Sequence, residues 1–286
     1  MSVTAVSLIA VAAVAHASWN LFSKQAAAAG TIAFVWMLTA FGTVSYLPAL
    51  GIDLAVTHPH LRSLALVFLG GTALLHIGYF LTLQHGYTSG DLSLVYPVSR
   101  GSGLLLSSFV AIPLYAEHPG PAGIAGILLI SGGVIVLSLP DRAAMPRATA
   151  ITFGLLTGTF IAGYTLWDKY AVSSLHIPPL LEEWAAGAGV AIVLAPLAVT
   201  NTGRLALLWR DYRGQVLGAA ILSPLAYILV LTALAFSPVS SIAPAREISV
   251  LIGVLLGRRL LGERNLGRRL GAALAITAGV AAIIAG

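Results

Sequence analysis

Apolar residues run along this chain in blocks of about twenty, broken by short polar stretches. Ten blocks are legible, at about 3–23, 31–51, 63–83, 91–114, 120–139, 150–172, 178–200, 215–236, 238–257 and 265–285. Roughly twenty mostly apolar residues, wound as a helix, cross the hydrocarbon layer of a bilayer. The connections are short, and several carry Pro, Gly or Asp: "DLAVTHPHLR", "AEHPGP", "PDRAAMPRA", "TNTGRLALLWRDYRG". No soluble domain fits between them. The pattern predicts an all-α, polytopic membrane protein. Its best internal boundary is Pro140–Arg147, which leaves five spans in residues 1–140 and five in 148–286.

Composition agrees. Of the 286 residues, 58% are hydrophobic and 9% are charged, against about 25% charged in an ordinary soluble domain. Cysteine is absent, which excludes a disulfide framework and a cysteine metal site. The net charge of +5 comes without a basic run interleaved with aromatics, so nucleic-acid binding is not expected. No phosphate-cradling glycine loop or HExxH-type metal spacing occurs. Ala15-His16-Ala17 resembles a signal-peptide cleavage site, but the segment before it has no positive charge, so 3–23 is read as a span.

Charge also orients the spans. The odd-numbered connections hold Lys24, Arg142, Arg147, Arg204, Arg210, Arg213, Arg258, Arg259, Arg264, Arg268 and Arg269; the even ones offer Arg62 and Lys169 at a helix end. The positive-inside rule then puts the odd connections in the cytoplasm and both termini outside.

The two halves resemble each other. "WNLFSK" (19–24) answers to "YTLWDK" (164–169), and "GDLSLVYPVSR" (90–100) to "SPVSSIAPAR" (237–246), aligning Ser93 with Ser240 and Pro97 with Pro244. "AEHPGPAGIAGILLISGGV" (116–134) answers to "GERNLGRRLGAALAITAGV" (262–280), pairing Glu117 with Glu263 and Gly133 with Gly279. Chance likeness between apolar helices explains shared Ala, Leu and Gly. It does not explain Lys, Pro and Glu recurring in one register. Five spans per copy is an odd number, so the second copy enters the membrane in the opposite sense. Inverted repeats of this kind are a transporter architecture.

On these residues the chain resembles the EamA type of the drug/metabolite transporter superfamily. The likeness rests on Trp19-Asn20 before Lys24, on Pro97 and Pro244, and on the Glu117 and Glu263 segments. The first of those segments is looser, with no basic residue after Glu117. The resemblance implies ten helices as two inverted five-helix repeats around a central cavity, alternating access, and a small-metabolite substrate.

Polar groups within a bilayer usually face the bundle interior or a water-filled cavity. The candidate substrate-binding residues are His16, Trp19 and Asn20 in the first span, His76 and Tyr79 in the third, and Tyr96 and Arg100 in the fourth. Tyr164 and Trp167 in the sixth, Tyr227 in the eighth, and Arg246 and Glu247 in the ninth complete the set. Trp19, Tyr164 and Trp167 read equally as interfacial belt aromatics, His16 and His76 as partners between helices, and Lys24 and Lys169 as snorkelling end residues. Glu117 and Glu263 read as caps at helix starts. Pro97 and Pro244 each free a carbonyl one turn back, which suits a bend and hinge at a cavity.

Arginine at mid-depth costs at least ~2.5–3.5 kcal/mol on insertion scales, so a partner is expected. The repeat register makes Glu247 the equivalent of Arg100. Arg100 and Glu247 are expected to pair near the pseudo-two-fold axis, leaving Arg246 for a substrate anion; the alternative is a charge network that only joins the halves.

The expected function is export of amino acids, aromatic ones among them, or of related small molecules across the inner membrane. The expected partners are the substrate, the lipid bilayer and protons, titrating at His16, His76, Asp168 or Glu247. No catalytic residue, metal or cofactor is expected, and the chain is expected to act as a monomer or weak dimer. A carrier of phosphorylated or sugar-nucleotide-type anions is the alternative, and would need more cations than the two deep arginines and two end lysines. A cationic-drug exporter relies on a carboxylate in the first helix, and residues 1–30 have none. An intramembrane enzyme or a membrane scaffold is the reading from a different class.

Overall fold

The structure is a computed structural model and describes residues 1–26, 31–89, 92–138, 148–249, 252 and 266–285. Among these residues the regular structure is helical throughout: α1 (Val3–Ala26), α2 (Thr31–Thr57), α3 (Ser63–Ser89), α4 (Leu92–Tyr115), α5 (Gly120–Ser138), α6 (Ala148–Ser173), α7 (Pro179–Val199), α8 (Thr202–Phe236), α9 (Val239–Ala245) and α10 (Leu266–Ala285). Six stretches of helix are long and apolar enough to cross a membrane: Val3–Ser23, Ile32–Thr57, Ser63–Leu83, Ala148–Ser173, Pro179–Val199 and Thr202–Phe236. Large apolar side chains such as Ile52, Leu66, Leu74 and Ile192 point outward. This is the build of a membrane-embedded helical protein.

An apolar surrounding leaves a helix no water for its polar groups. Many of the hydroxyls are satisfied within their own helices: Thr39 donates to the Val35 carbonyl (2.9 Å), Thr82 to Gly78 (2.8 Å), Ser131 to Ile127 (2.8 Å) and Thr157 to Phe153 (2.7 Å). Each bond reaches back one turn, which lets Ser and Thr sit in apolar helices.

Two elements differ from the sequence pattern. The connection expected at "TNTGRLALLWRDYRG" is largely helical and forms the start of α8, with a kink at Tyr212 (φ −132°, ψ 19°). Its short apolar side explains this: Leu208 is fully buried and Trp209 stacks on Phe41 (5.4 Å), while Arg210 and Asp211 pair outside. The ninth block, expected as one span, is helical over Val239–Ala245, turns at 246–247 and is helical again at 248–249; beyond that only residue 252 of the block is among the described residues. After Pro244 the bonds become Glu247 N–H to Pro244 O (2.9 Å) and Ser249 N–H to Arg246 O (3.2 Å), each three residues apart. The Pro140–Arg147 boundary, Glu263 and the Arg258–Arg259 stretch lie outside the described residues.

The helices pack in crosswise pairs. Helix α1 lies against α8 in the opposite sense: Phe22 meets Gly218, while Ala5 and Ile9 share a cluster with Leu231 and Leu234. Helices α4 and α6 run the same way, with Val98 at Gly154, Gly103 at Gly158, and the Tyr115 hydroxyl donating to the Leu166 carbonyl. Tyr115, Lys169 and Phe236 thus mark one end of the bundle. Tryptophans tie α2 to α7, Trp36 donating to Ala191 O (3.1 Å) and Trp184 to Thr43 O (3.0 Å).

Backbones approach closely between α5 and α10. A Cβ on Gly279 would sit 2.7 Å from Gly126 O, and one on Gly126 would sit 2.6 Å from Gly279 O. Small residues are what allow such contact between apolar helices. Gly279→Ala is expected to destabilise by about 1–3 kcal/mol, the usual cost of overpacking. Gly132→Ala should change little, since its Cβ would meet nothing within 4 Å. Thermal unfolding of the two variants side by side checks this; equal melting temperatures would refute the contact.

Candidate functional site

Helices α1, α2, α3, α7 and α8 enclose a cavity of about 260 Å³. Tyr164 of α6, Arg100 of α4 and Arg246 after α9 complete its wall. Nine of the twelve candidate residues line it: His16, Trp19, Asn20, His76, Tyr79, Arg100, Tyr164, Tyr227 and Arg246. On the side away from Tyr115 it extends to Ser23, Phe34 and Leu83.

Helical spacing sets up the α1 wall. His16 and Trp19 are three residues apart, and the Trp19 Nε1–H donates to His16 Nδ1 (3.2 Å). Asn20 donates to the His16 carbonyl (2.7 Å), which holds its amide against α1. On α3, His76 Nδ1 lies 2.9 Å from the Thr72 carbonyl. A carbonyl only accepts, so this ring carries its proton on Nδ1, whereas an indole only donates, so His16 Nδ1 is bare.

Aromatic rings make the second wall. His76 stacks on Tyr164 (4.3 Å between centroids, 24°), and Tyr227 presents its edge to both (5.8 and 5.9 Å). Tyr79 meets Tyr164 edge-on at 5.9 Å. Edge-to-face sets of this kind leave flat, polarisable surface facing the hollow.

The charges separate into two groups. Arg100 Nη2 and Glu247 Oε1 are 2.6 Å apart, with side chains 10% and 4% exposed. Arg246 is 7% exposed and lines the cavity. Among the described residues its side chain makes no hydrogen bond or ion pair, and its Nε is buried without a partner. The second group is acidic. Tyr227 donates to Asp168 Oδ2 (2.7 Å), Glu182 is fully buried beside it, and Glu183 opens on the cavity. Glu182 and Glu183 were not singled out by sequence reasoning. Their signal was present: two adjacent acids in the apolar run "LLEEWAAGAG". Glu182 stands in the first turn of α7, where a carboxylate complements the helix dipole.

Other candidates lie elsewhere. Trp167 is outside the cavity: its ring stacks on Phe68 (4.3 Å), its Nε1–H donates to the Phe68 carbonyl (2.9 Å), and Gly71 makes room for it. Trp167 thus packs α6 on α3. Glu247 lies behind Arg100, bound to it through Oε1, and Pro244 is buried three residues before it. Tyr96 and Pro97 fall in α4, and their side chains lie outside the described residues, as does that of Lys24.

Two expectations change. Lys169 does not snorkel towards an interface; its Nζ donates to Leu234 O (2.6 Å) and Ser237 O (3.0 Å), because the end of α8 offers unpaired carbonyls there. Glu117 does cap a helix, but not the one it precedes. Its carboxylate accepts from the N–H groups of Val239 (2.6 Å) and Ser240 (2.8 Å) at the start of α9.

No family model matches the chain, and no curated protein matches it. Among solved structures, one described only as a crystal structure of a protein superposes with a TM-score of 0.72, over 97% of this chain and 98% of its own. The two are 14% identical, so the likeness shows the fold alone.

Proposed function

We propose that this chain is a carrier of small metabolites, built as ten spans in two inverted five-helix repeats (1–140 and 148–286), that exports amino acids across the inner membrane by alternating access. Membership of the drug/metabolite transporter superfamily, EamA type, is part of the same reading. The observation that carries it is Arg246: a buried guanidinium without a partner among the described residues, facing a cavity walled by aromatic rings. A carboxylate satisfies the cation and an aromatic or apolar side chain suits the rings.

Contacts that come in exchanged pairs support the two-fold relation. Trp36 with Ala191 exchanges into Trp184 with Thr43, each residue 148 positions from its counterpart. Gly279 with Ile130 exchanges into Gly133 with Ile276, at 146. Arg100 and Glu247, 147 apart, meet each other, as counterparts on an axis would. A two-fold interface requires this self-exchange.

The phosphorylated-anion alternative is weaker on the same geometry, because Glu247 already occupies Arg100 and leaves Arg246 as the cavity cation without a partner among the described residues. Counterflow in proteoliposomes loaded with single unlabelled amino acids tests the proposal. Saturable exchange is expected for at least one aromatic or apolar amino acid. No saturable flux across all twenty would sink it, and flux of a phosphate ester alone would favour the alternative.

A further inference from the structure

The corner between α8 and α9 exposes two helix ends with opposite partial charge. The last carbonyls of α8 carry the negative end and the first N–H groups of α9 the positive end. Each end is held by the complementary side chain from elsewhere in the molecule. Lys169 of α6 takes Leu234 O and Ser237 O; Glu117, in the connection between α4 and α5, takes the N–H groups of Val239 and Ser240. Glu117, Ser237, Val239 and Ser240 are all buried. The corner is therefore gripped from both sides by a cation and an anion belonging to two other segments.

Three features make this more than a cap. The corner lies at the Tyr115 end of the bundle, where the α8 wall of the cavity stops at Val230; the α7 wall reaches Leu180 and Glu183 in the first turn of α7, and the cavity runs from there towards Ser23, Phe34 and Leu83. The gripped helix is seven residues long, and the residue that follows it is Arg246. Pro244 and the three-residue bonds after it interrupt the α-helical pattern just beyond the grip. Finally, the sequence repeat recurs on these very residues: Lys24 matches Lys169, Ser93 matches Ser240 and Glu263 matches Glu117.

We propose that Glu117 and Lys169 form a latch that closes the α8–α9 side of the cavity at the Tyr115 end and sets the position of Arg246 through α9. Both are positioning residues, acting through the helix. The latch takes its purpose from the carrier reading, but its test requires no substrate. The chain has no cysteine, so Ser240→Cys supplies a single thiol inside the latch, and Ser108→Cys, fully buried in α4, supplies a control. Purified protein in detergent is labelled with a hydrophilic maleimide. In Glu117→Gln one accepting oxygen becomes an N–H group that faces the N–H groups of α9.

Ser240→Cys labelling is expected to rise tenfold or more in Glu117→Gln and again in Lys169→Gln, while Ser108→Cys stays slow. Glu117→Asp should restore much of the protection. Unchanged Ser240→Cys labelling in both variants would overturn the latch. So would a parallel rise at Ser108→Cys, which would mean general loosening. If Glu117→Gln does not fold, Lys169→Gln carries the test alone. Failure of amino-acid counterflow with the labelling result intact would leave the latch standing and remove the carrier reading.

Discussion

Glu247→Ala will lower the stability of this protein by about 3–5 kcal/mol, the usual cost of stranding one member of a buried ion pair. The Arg100 side chain is 10% exposed and Glu247 Oε1 lies 2.6 Å from its Nη2. Removing the carboxylate takes the paired anion away from a guanidinium that is nearly buried at the cavity wall. Arginine cannot shed its proton to escape. The double variant Arg100→Met/Glu247→Leu fills similar volume without charge, and buried pairs replaced in this way are often neutral or better. Thermal unfolding should therefore show a large loss for the single variant and recovery in the double. Equal losses in both would mean that the pair matters for its shape alone.

Arg246→Met should behave in the opposite way. Its side chain has no hydrogen-bond or ion-pair partner among the described residues, so removing it strands nothing and should leave the melting temperature unchanged or raised. Binding should suffer instead. Truncating one partner of a buried charge pair with a ligand costs about 2–5 kcal/mol, or roughly 30- to 5000-fold in Kd. Titration of the purified protein with the amino acid found by counterflow measures this directly. An Arg246→Met protein that binds its amino acid as tightly as the parent would exclude the guanidinium as the carboxylate site.

The contrast between these two arginines was half visible in the sequence. The register that aligns Pro97 with Pro244 also aligns Arg100 with Glu247, and on the proposed two-fold relation a residue that meets its own counterpart would lie on the axis. The helical, apolar build was legible too, because twenty apolar residues leave few options other than a helix. What hid from the sequence were contacts between distant polar groups. Nothing near Glu117 says that its carboxylate reaches a helix more than a hundred residues later. Trp167 read as a cavity residue or a belt aromatic, yet the ring turns towards Phe68, where Gly71 on another helix makes room for it. The amphipathic start of α8 read as a connection because its apolar side is short. The acids at 182 and 183 were overlooked because one pair of Glu does not break an apolar block.

The grip of Glu117 on α9 also bears on how the chain is made. The carboxylate and the N–H groups that it accepts from are 122 and 123 residues apart. Chains lengthen at about 5–20 residues per second, so Glu117 emerges roughly 6–25 s before its helix exists. Through that interval the first five helices carry a carboxylate whose proper shelter has not been synthesised. The early half is thus an unfinished surface that the later half completes, and release of the nascent chain before Ser240 would hand the cell's quality control a protein that cannot close.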